Sequence, residues 1–146
     1  MSDFRPLNDE LLASPQIALD DITEAKALGV SLIINNRPDG EAPDQIPGAE
    51  IETAAKACGI DYVAIPVTQA GFSQPQVDAM RAAMDGATGK VLAYCRSGTR
   101  STFLWSLAEA KQGTTPDEIA AAAAAAGYDV APIRPAIEML SNQSGS

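Results

Sequence analysis

Val91-Leu92-Ala93-Tyr94-Cys95-Arg96-Ser97-Gly98-Thr99-Arg100-Ser101 is the stretch whose reading decides the fold. With Lys90, its first four residues make a short apolar run of the kind a buried strand presents. Thr99 to Lys111 then follows the helical period, with Phe103, Leu104, Leu107 and Ala108 on one face and Gly113 as terminator. A thiol between the carboxyl end of a buried strand and the start of a helix lies where open α/β sheets bind ligands.

Working outward, strand-like and helical patterns alternate, the signature of an α/β domain with a mainly parallel sheet. Ser31 to Asn36 and Tyr62 to Val67 read as further strands, with Pro66 arguing for an edge or a bulge, and Leu11 to Ile17 as a weaker one. Helices are expected from Asp21, spaced from Glu24 as a capping box, to Gly29; from Glu50 to Ala57; and from Ser73, boxed with Gln76, to Met84. Thr115-Pro116-Asp117-Glu118 opens another, which the alanine run carries to Gly127. Ile133 to Leu140 suggests a last short helix. One domain over 1–140 and a disordered tail over 141–146 are expected, with no internal repeat.

Composition narrows the function classes. A chain of 146 residues with a formal charge of −9 repels nucleic acid and anionic membrane, whose affinity comes from Lys and Arg meeting phosphates. The expected partner is a small anionic substrate. No apolar run approaches the length of a membrane helix and the first residues lack a signal-peptide pattern, so a cytoplasmic protein is expected. Histidine is absent, which excludes Ser-His-Asp and Cys-His catalysis and His-containing zinc sites. No metal or cofactor is called for. The two cysteines, Cys58 and Cys95, read as free thiols.

Chemistry is concentrated at Cys95. A turn between strand and helix gathers backbone N–H groups into one concavity at the positive end of the helix, so Ser97, Gly98 and Thr99 can hold an anion largely through their main chain. Gly98 permits the turn. Arg100 adds a planar fork suited to oxyanions, and Arg96 points outward toward substrate. The same field favours the thiolate, which makes Cys95 the candidate nucleophile, with Ser101 as a hydrogen-bond donor to its sulfur. The alternative is a small buried packing residue; arginines, hydroxyls and a glycine are unusual company for one.

The loop, the segment Asn35-Asn36-Arg37-Pro38-Asp39-Gly40-Glu41 and the order of elements resemble the phosphatase-like domain of bacterial β-lactamase-hydrolase-like proteins, most clearly over residues 4–110. The resemblance implies a fold similar to dual-specificity phosphatases: a mostly parallel central sheet flanked by helices. Two departures from the phosphatase pattern bear on chemistry. Phosphatases of this fold carry five residues between cysteine and arginine, whereas four separate Cys95 from Arg100, as in single-domain rhodaneses. The loop where such phosphatases place a general-acid aspartate reads Thr68-Gln69-Ala70-Gly71-Phe72, without a carboxylate.

Sulfur transfer through a Cys95 persulfide is the leading expectation on these grounds, because a sulfane donor has a good leaving group. A phosphatase with a phosphoryl-cysteine intermediate and a non-catalytic oxyanion-binding module are the alternatives. Arg37 and Asp39 follow a buried strand and are expected at the same ligand edge, with Asp39 or Glu41 as candidates for a displaced acid; the competing reading is a plain turn at Pro38-Asp39-Gly40. Cys58 reads as filler at a helix end rather than a resolving thiol. Gly86 to Lys90 mimics a nucleotide-binding loop but precedes a strand. Trp105, Phe103 and Leu104 read as core.

Overall fold

The parallel runs expected around Cys95 form the centre of a five-stranded mixed sheet in the computed structural model, which describes residues 3–68 and 71–144. The strands are β1 (Arg5–Pro6), β2 (Leu11–Ser14), β3 (Val30–Asn35), β4 (Asp61–Ala64) and β5 (Lys90–Tyr94), in the order β1-β2-β5-β3-β4. Only β1 is antiparallel; β2, β5, β3 and β4 run parallel, so their carboxyl ends share one edge of the sheet. β4 lies at the sheet edge, as Pro66 suggested; its register with β3 runs to Ala64, and the Ile65 and Val67 N–H groups still donate to the Asn35 and Asn36 carbonyls at 2.9 Å.

Six helices cover the two faces: α1 (Leu19–Ala27), α2 (Gly48–Ala57), α3 (Gln74–Gly86), α4 (Thr99–Gln112), α5 (Pro116–Ala125) and α6 (Arg134–Ser144). Alternation along each strand sorts the apolar residues into two cores. Leu11, Ala13, Leu32, Ile34, Val91 and Ala93 face α3 to α6, packing with Met80, Leu104, Trp105 and Ile119. Leu12, Val30, Ile33, Leu92 and Tyr94 face α1 and α2, packing with Ile22 and Ile51. Trp105 and Leu104 are thus core, and the half-buried Phe103 packs on Phe72 with ring centroids 6.1 Å apart.

Several ends differ from the sequence expectation. α1 starts before Asp21, whose carboxylate accepts from the Ala18 N–H at 2.8 Å, so Asp21 closes the first turn instead of opening it. α2 begins at Gly48 and α6 continues through Ser144, where a tail was expected from Ser141; Ser141 Oγ donates to the Thr114 carbonyl at 3.2 Å and ties that turn down. The caps at Ser73 and Thr115 form as read: Gln76 accepts from the Ser73 N–H at 2.8 Å, and Thr115 from the Glu118 N–H at 3.2 Å. Residues 69–70 of the carboxylate-free loop and 145–146 lie outside the described residues. Among the described residues, no helix is long and apolar enough to cross a membrane.

Candidate active site

Cys95 directly follows β5, and Gly98 is the N-cap of α4, so strand and helix fix both ends of the loop between them. Three loop carbonyls are committed away from Cys95. That of Arg96 accepts from the Gln16 N–H at 3.2 Å, that of Ser97 from the Tyr128 hydroxyl at 3.1 Å, and that of Gly98 from the Thr102 N–H at 3.0 Å and hydroxyl at 2.8 Å. In a trans peptide the C=O and N–H point opposite ways. The following amides, of Ser97 and Gly98, are therefore turned toward the concave side, while that of Thr99 reaches Ser97 Oγ at 3.4 Å. The Gly98 N–H bears this out by donating to Cys95 Sγ at 3.1 Å.

Cys95 has no exposed surface and lies at the floor of this cradle. It is not merely packed: it has the Gly98 amide, the start of α4 and Arg100 beside it. Gly98, the N-cap of α4, has no side chain to cap it; the Thr99 N–H makes a long 3.4 Å bond to Ser97 Oγ at the rim, and the helix start otherwise presents its positive end to the loop. Gly98 has φ of 94°, and a β-carbon there would come within 2.0 Å of the Tyr128 hydroxyl oxygen, so glycine serves both the turn and the close approach. Burial above all pushes the Tyr128 pKa up, which keeps its hydroxyl a donor to the loop.

Arg100, in the first turn of α4, reaches Glu41 and the segment after β4. Its Nη1 donates to Glu41 Oε2 and to the Val67 carbonyl, both at 2.7 Å, and its Nη2 to Glu41 Oε1 at 2.8 Å. The hydrogen bonds to Glu41 raise the Arg100 pKa further, and the nearby Cys95 adds to this. Arg37 is buried, its Nε donating to Glu41 Oε1 at 2.9 Å and its Nη1 to Gln16 Oε1 at 3.1 Å. Hydrogen bonds from Arg100 and then Arg37 hold the Glu41 carboxyl at about 2, so at neutral pH it is an ion-pair partner and not a proton donor.

Two expected roles, those of Ser101 and Asp39, are not what the structure places, while Cys58 lies where a filler at a helix end was expected. The Ser101 hydroxyl donates to Asn36 Oδ1 at 2.8 Å; its single proton is used there and not on Cys95. Asp39 Oδ1 accepts from the Gly48 N–H at 2.9 Å, capping α2 and leaving the cradle, because the turn at Pro38-Asp39-Gly40 folds back onto that helix start. Cys58 follows α2 ahead of β4, whereas Cys95 follows the carboxyl end of β5. About 10 Å of strand lies between those two ends of the sheet, beyond the roughly 7 Å between Cα atoms that a disulfide tolerates. Arg96 and Ser97 are exposed at the rim, and Ser97 Oγ donates to Thr99 Oγ1 at 3.0 Å. Gln16 and Tyr128 escaped the sequence reading; Asn36 lay in the segment expected at the ligand edge, but its bond to Ser101 was not foreseen.

The sequence profile of the beta-lactamase hydrolase-like protein, phosphatase-like domain, matches residues 3–113. The chain belongs to that family. Its curated relative in this phosphatase-like family, the beta-lactamase hydrolase-like protein of Xylella fastidiosa, is 36% identical over 126 residues, which are 85% of this chain and 29% of the relative. The chain thus spans less than a third of the length of that relative. A crystal structure from Neisseria meningitidis, described as that of a candidate phosphatase, is 33% identical with a TM-score of 0.85, covering 96% of this chain and 99% of the other. PTPMT1 superposes with a TM-score of 0.75 at 10% identity, over 97% and 96% of the two chains, a likeness of fold alone. The phosphatase-like family and the Neisseria structure stand with the phosphatase alternative; sulfur transfer is not shown.

Proposed function

We propose that the domain hydrolyses phosphate monoesters through a phosphoryl-cysteine intermediate at Cys95. The observation that carries this is the Ser97–Gly98 peptide, whose carbonyl is held away by Tyr128 while its N–H meets Cys95 Sγ at 3.1 Å. An amide so placed supports a thiolate and then a phosphoryl oxygen next to it. In the first step the thiolate attacks phosphorus, the P–O bond to the leaving group breaks and that oxygen takes a proton from water. Water then attacks the phosphoryl group, the S–P bond breaks and the thiolate returns with release of phosphate. Arg100 and the amides of Ser97 and Gly98 bind the equatorial oxygens, while Arg96 at the rim meets the rest of the substrate. We place the activity in the cytoplasm, where free thiols persist.

Glu41 is ionised and Asp39 caps a helix, so leaving groups that need no protonation are favoured. The test compares an aryl phosphate with an alkyl phosphate. The aryl ester should be turned over and the alkyl ester at least about 100-fold more slowly, since a general acid contributes about that much. Cys95→Ser should abolish turnover while retaining phosphate binding, and Arg100→Ala should weaken both. Binding without turnover in the wild type would leave an oxyanion-binding module.

A second reading, sulfur transfer, is favoured by one specific observation: the four-residue spacing from Cys95 to Arg100, one shorter than phosphatases of this fold carry. Mass spectrometry after incubation with thiosulfate decides it. A persulfide on Cys95 formed faster than the aryl phosphate is hydrolysed would make sulfur transfer the main activity.

A further inference from the structure

Arg100 has five N–H bonds, and three are spent within the chain: one from each Nη on the two oxygens of Glu41, and the second from Nη1 on the Val67 carbonyl. Among the described residues, Nε–H and the second Nη2–H remain. They lie on one edge of the planar group as a parallel pair, the arrangement that an oxyanion accepts at two oxygens. Glu41 is itself braced, by Arg37 Nε on Oε1 at 2.9 Å and by its own N–H donating to Gln45 Oε1 at 2.9 Å. Behind Arg37 stands Gln16, whose N–H holds the Arg96 carbonyl of the loop. The bonds therefore run in a circuit from the outer side of the loop through Gln16, Arg37 and Glu41 to Arg100 on its inner side.

We propose that Glu41 is a positioning residue, holding Arg100 so that its Nε and Nη2 edge faces the oxyanion bound over Cys95. The proposal deepens the phosphatase reading and rests on it. The opposing account makes Glu41 a gate, a carboxylate that competes with substrate for Arg100. Bond accounting favours positioning, because Glu41 occupies the end of the guanidinium and leaves the side edge open. The two accounts also predict opposite signs. Removing a brace leaves Arg100 to pay its ordering entropy on binding, whereas removing a competitor frees it.

The measurement is the affinity of the full chain for inorganic phosphate by calorimetry, with aryl phosphate kinetics alongside, in the wild type, Glu41→Gln, Glu41→Ala and Arg37→Gln. Glu41→Gln and Glu41→Ala should each weaken phosphate binding by about tenfold or more, the scale of a lost charge-assisted bond, and raise KM more than they lower kcat. Arg37→Gln, which leaves Glu41 in place but unbraced, should weaken binding in the same direction by less; it carries the test if the Glu41 variants fail to fold. Phosphate binding unchanged or tightened in the folded variants would overturn the positioning role and leave the phosphatase reading standing. A wild type that binds no phosphate would overturn that reading, and this one with it.

Discussion

At the scale of single residues, the contact between Gly98 and Tyr128 sets the shape of the cradle. Gly98→Ala should destabilise the protein by about 1–3 kcal/mol for its positive φ alone, and by more because the new methyl meets the Tyr128 ring and hydroxyl. In a Tyr128→Ala background the same change should cost less, leaving the backbone penalty; equal costs in urea unfolding would mean that the ring yields freely. Tyr128→Phe keeps the ring and removes only the bond to the Ser97 carbonyl, at 3.1 Å. It should cost about 1 kcal/mol and also reduce phosphate affinity, since that bond turns the Gly98 amide inward. Cys95, Gly98 and Arg100 were legible in the sequence because strand, turn and helix signals are local and bracket them within six residues. Tyr128 was not: it lies 31 residues from Ser97, and a tyrosine after a helix-ending glycine has no feature that names its partner.

At the scale of elements, Asn36 joins three of them at the carboxyl edge of the sheet. Its N–H donates to the Tyr94 carbonyl at 2.8 Å, its Nδ2 to the Ile65 carbonyl at 2.9 Å, and its Oδ1 accepts from Ser101. The end of β3 is thereby fastened to β5, to the segment leaving β4 and to the first turn of α4. Asn36→Ala would leave a buried hydroxyl and a carbonyl without their partners, for a loss of about 2–6 kcal/mol on the scale of 1–3 for each orphaned group. Asn36→Asp should fare no better, since a carboxylate cannot donate to Ile65. Chemical denaturation reads both; a loss under about 0.5 kcal/mol, the size of an ordinary surface change, would show that water replaces the side chain. The strands themselves were readable from apolar runs, and the order of elements from their alternation with helices. The bonds between them were not, since Asn36 and Ser101 are 65 residues apart and Glu41 and Arg100 are 59. Register between parallel strands decides such pairs, and no local pattern carries it. Hence Ser101 was assigned to the wrong acceptor and Asp39 to the wrong end of its own turn.

At the scale of the whole molecule, the site is a small positive focus in a chain of net charge −9, and Glu41 is where the two meet. Its carboxyl sits at about 2 when folded against an ordinary 4.5, so the unfolded chain takes up this proton first. The stabilisation is complete above 4.5 and is lost as pH falls through about 2. Urea unfolding of the wild type and Glu41→Gln should therefore show a constant difference above pH 4.5 that narrows toward pH 2. A gap that ignores pH would mean that the charge of Glu41 contributes nothing to folding. The placing of the only two thiols at opposite ends of the sheet has a consequence of another kind. A peroxide that converts Cys95 to a sulfenic acid leaves it with no cysteine in reach to trap it as an internal disulfide, and oxidation past that stage is irreversible. Recovery from oxidant then depends on a reductant arriving from solution along the substrate's own path to Cys95.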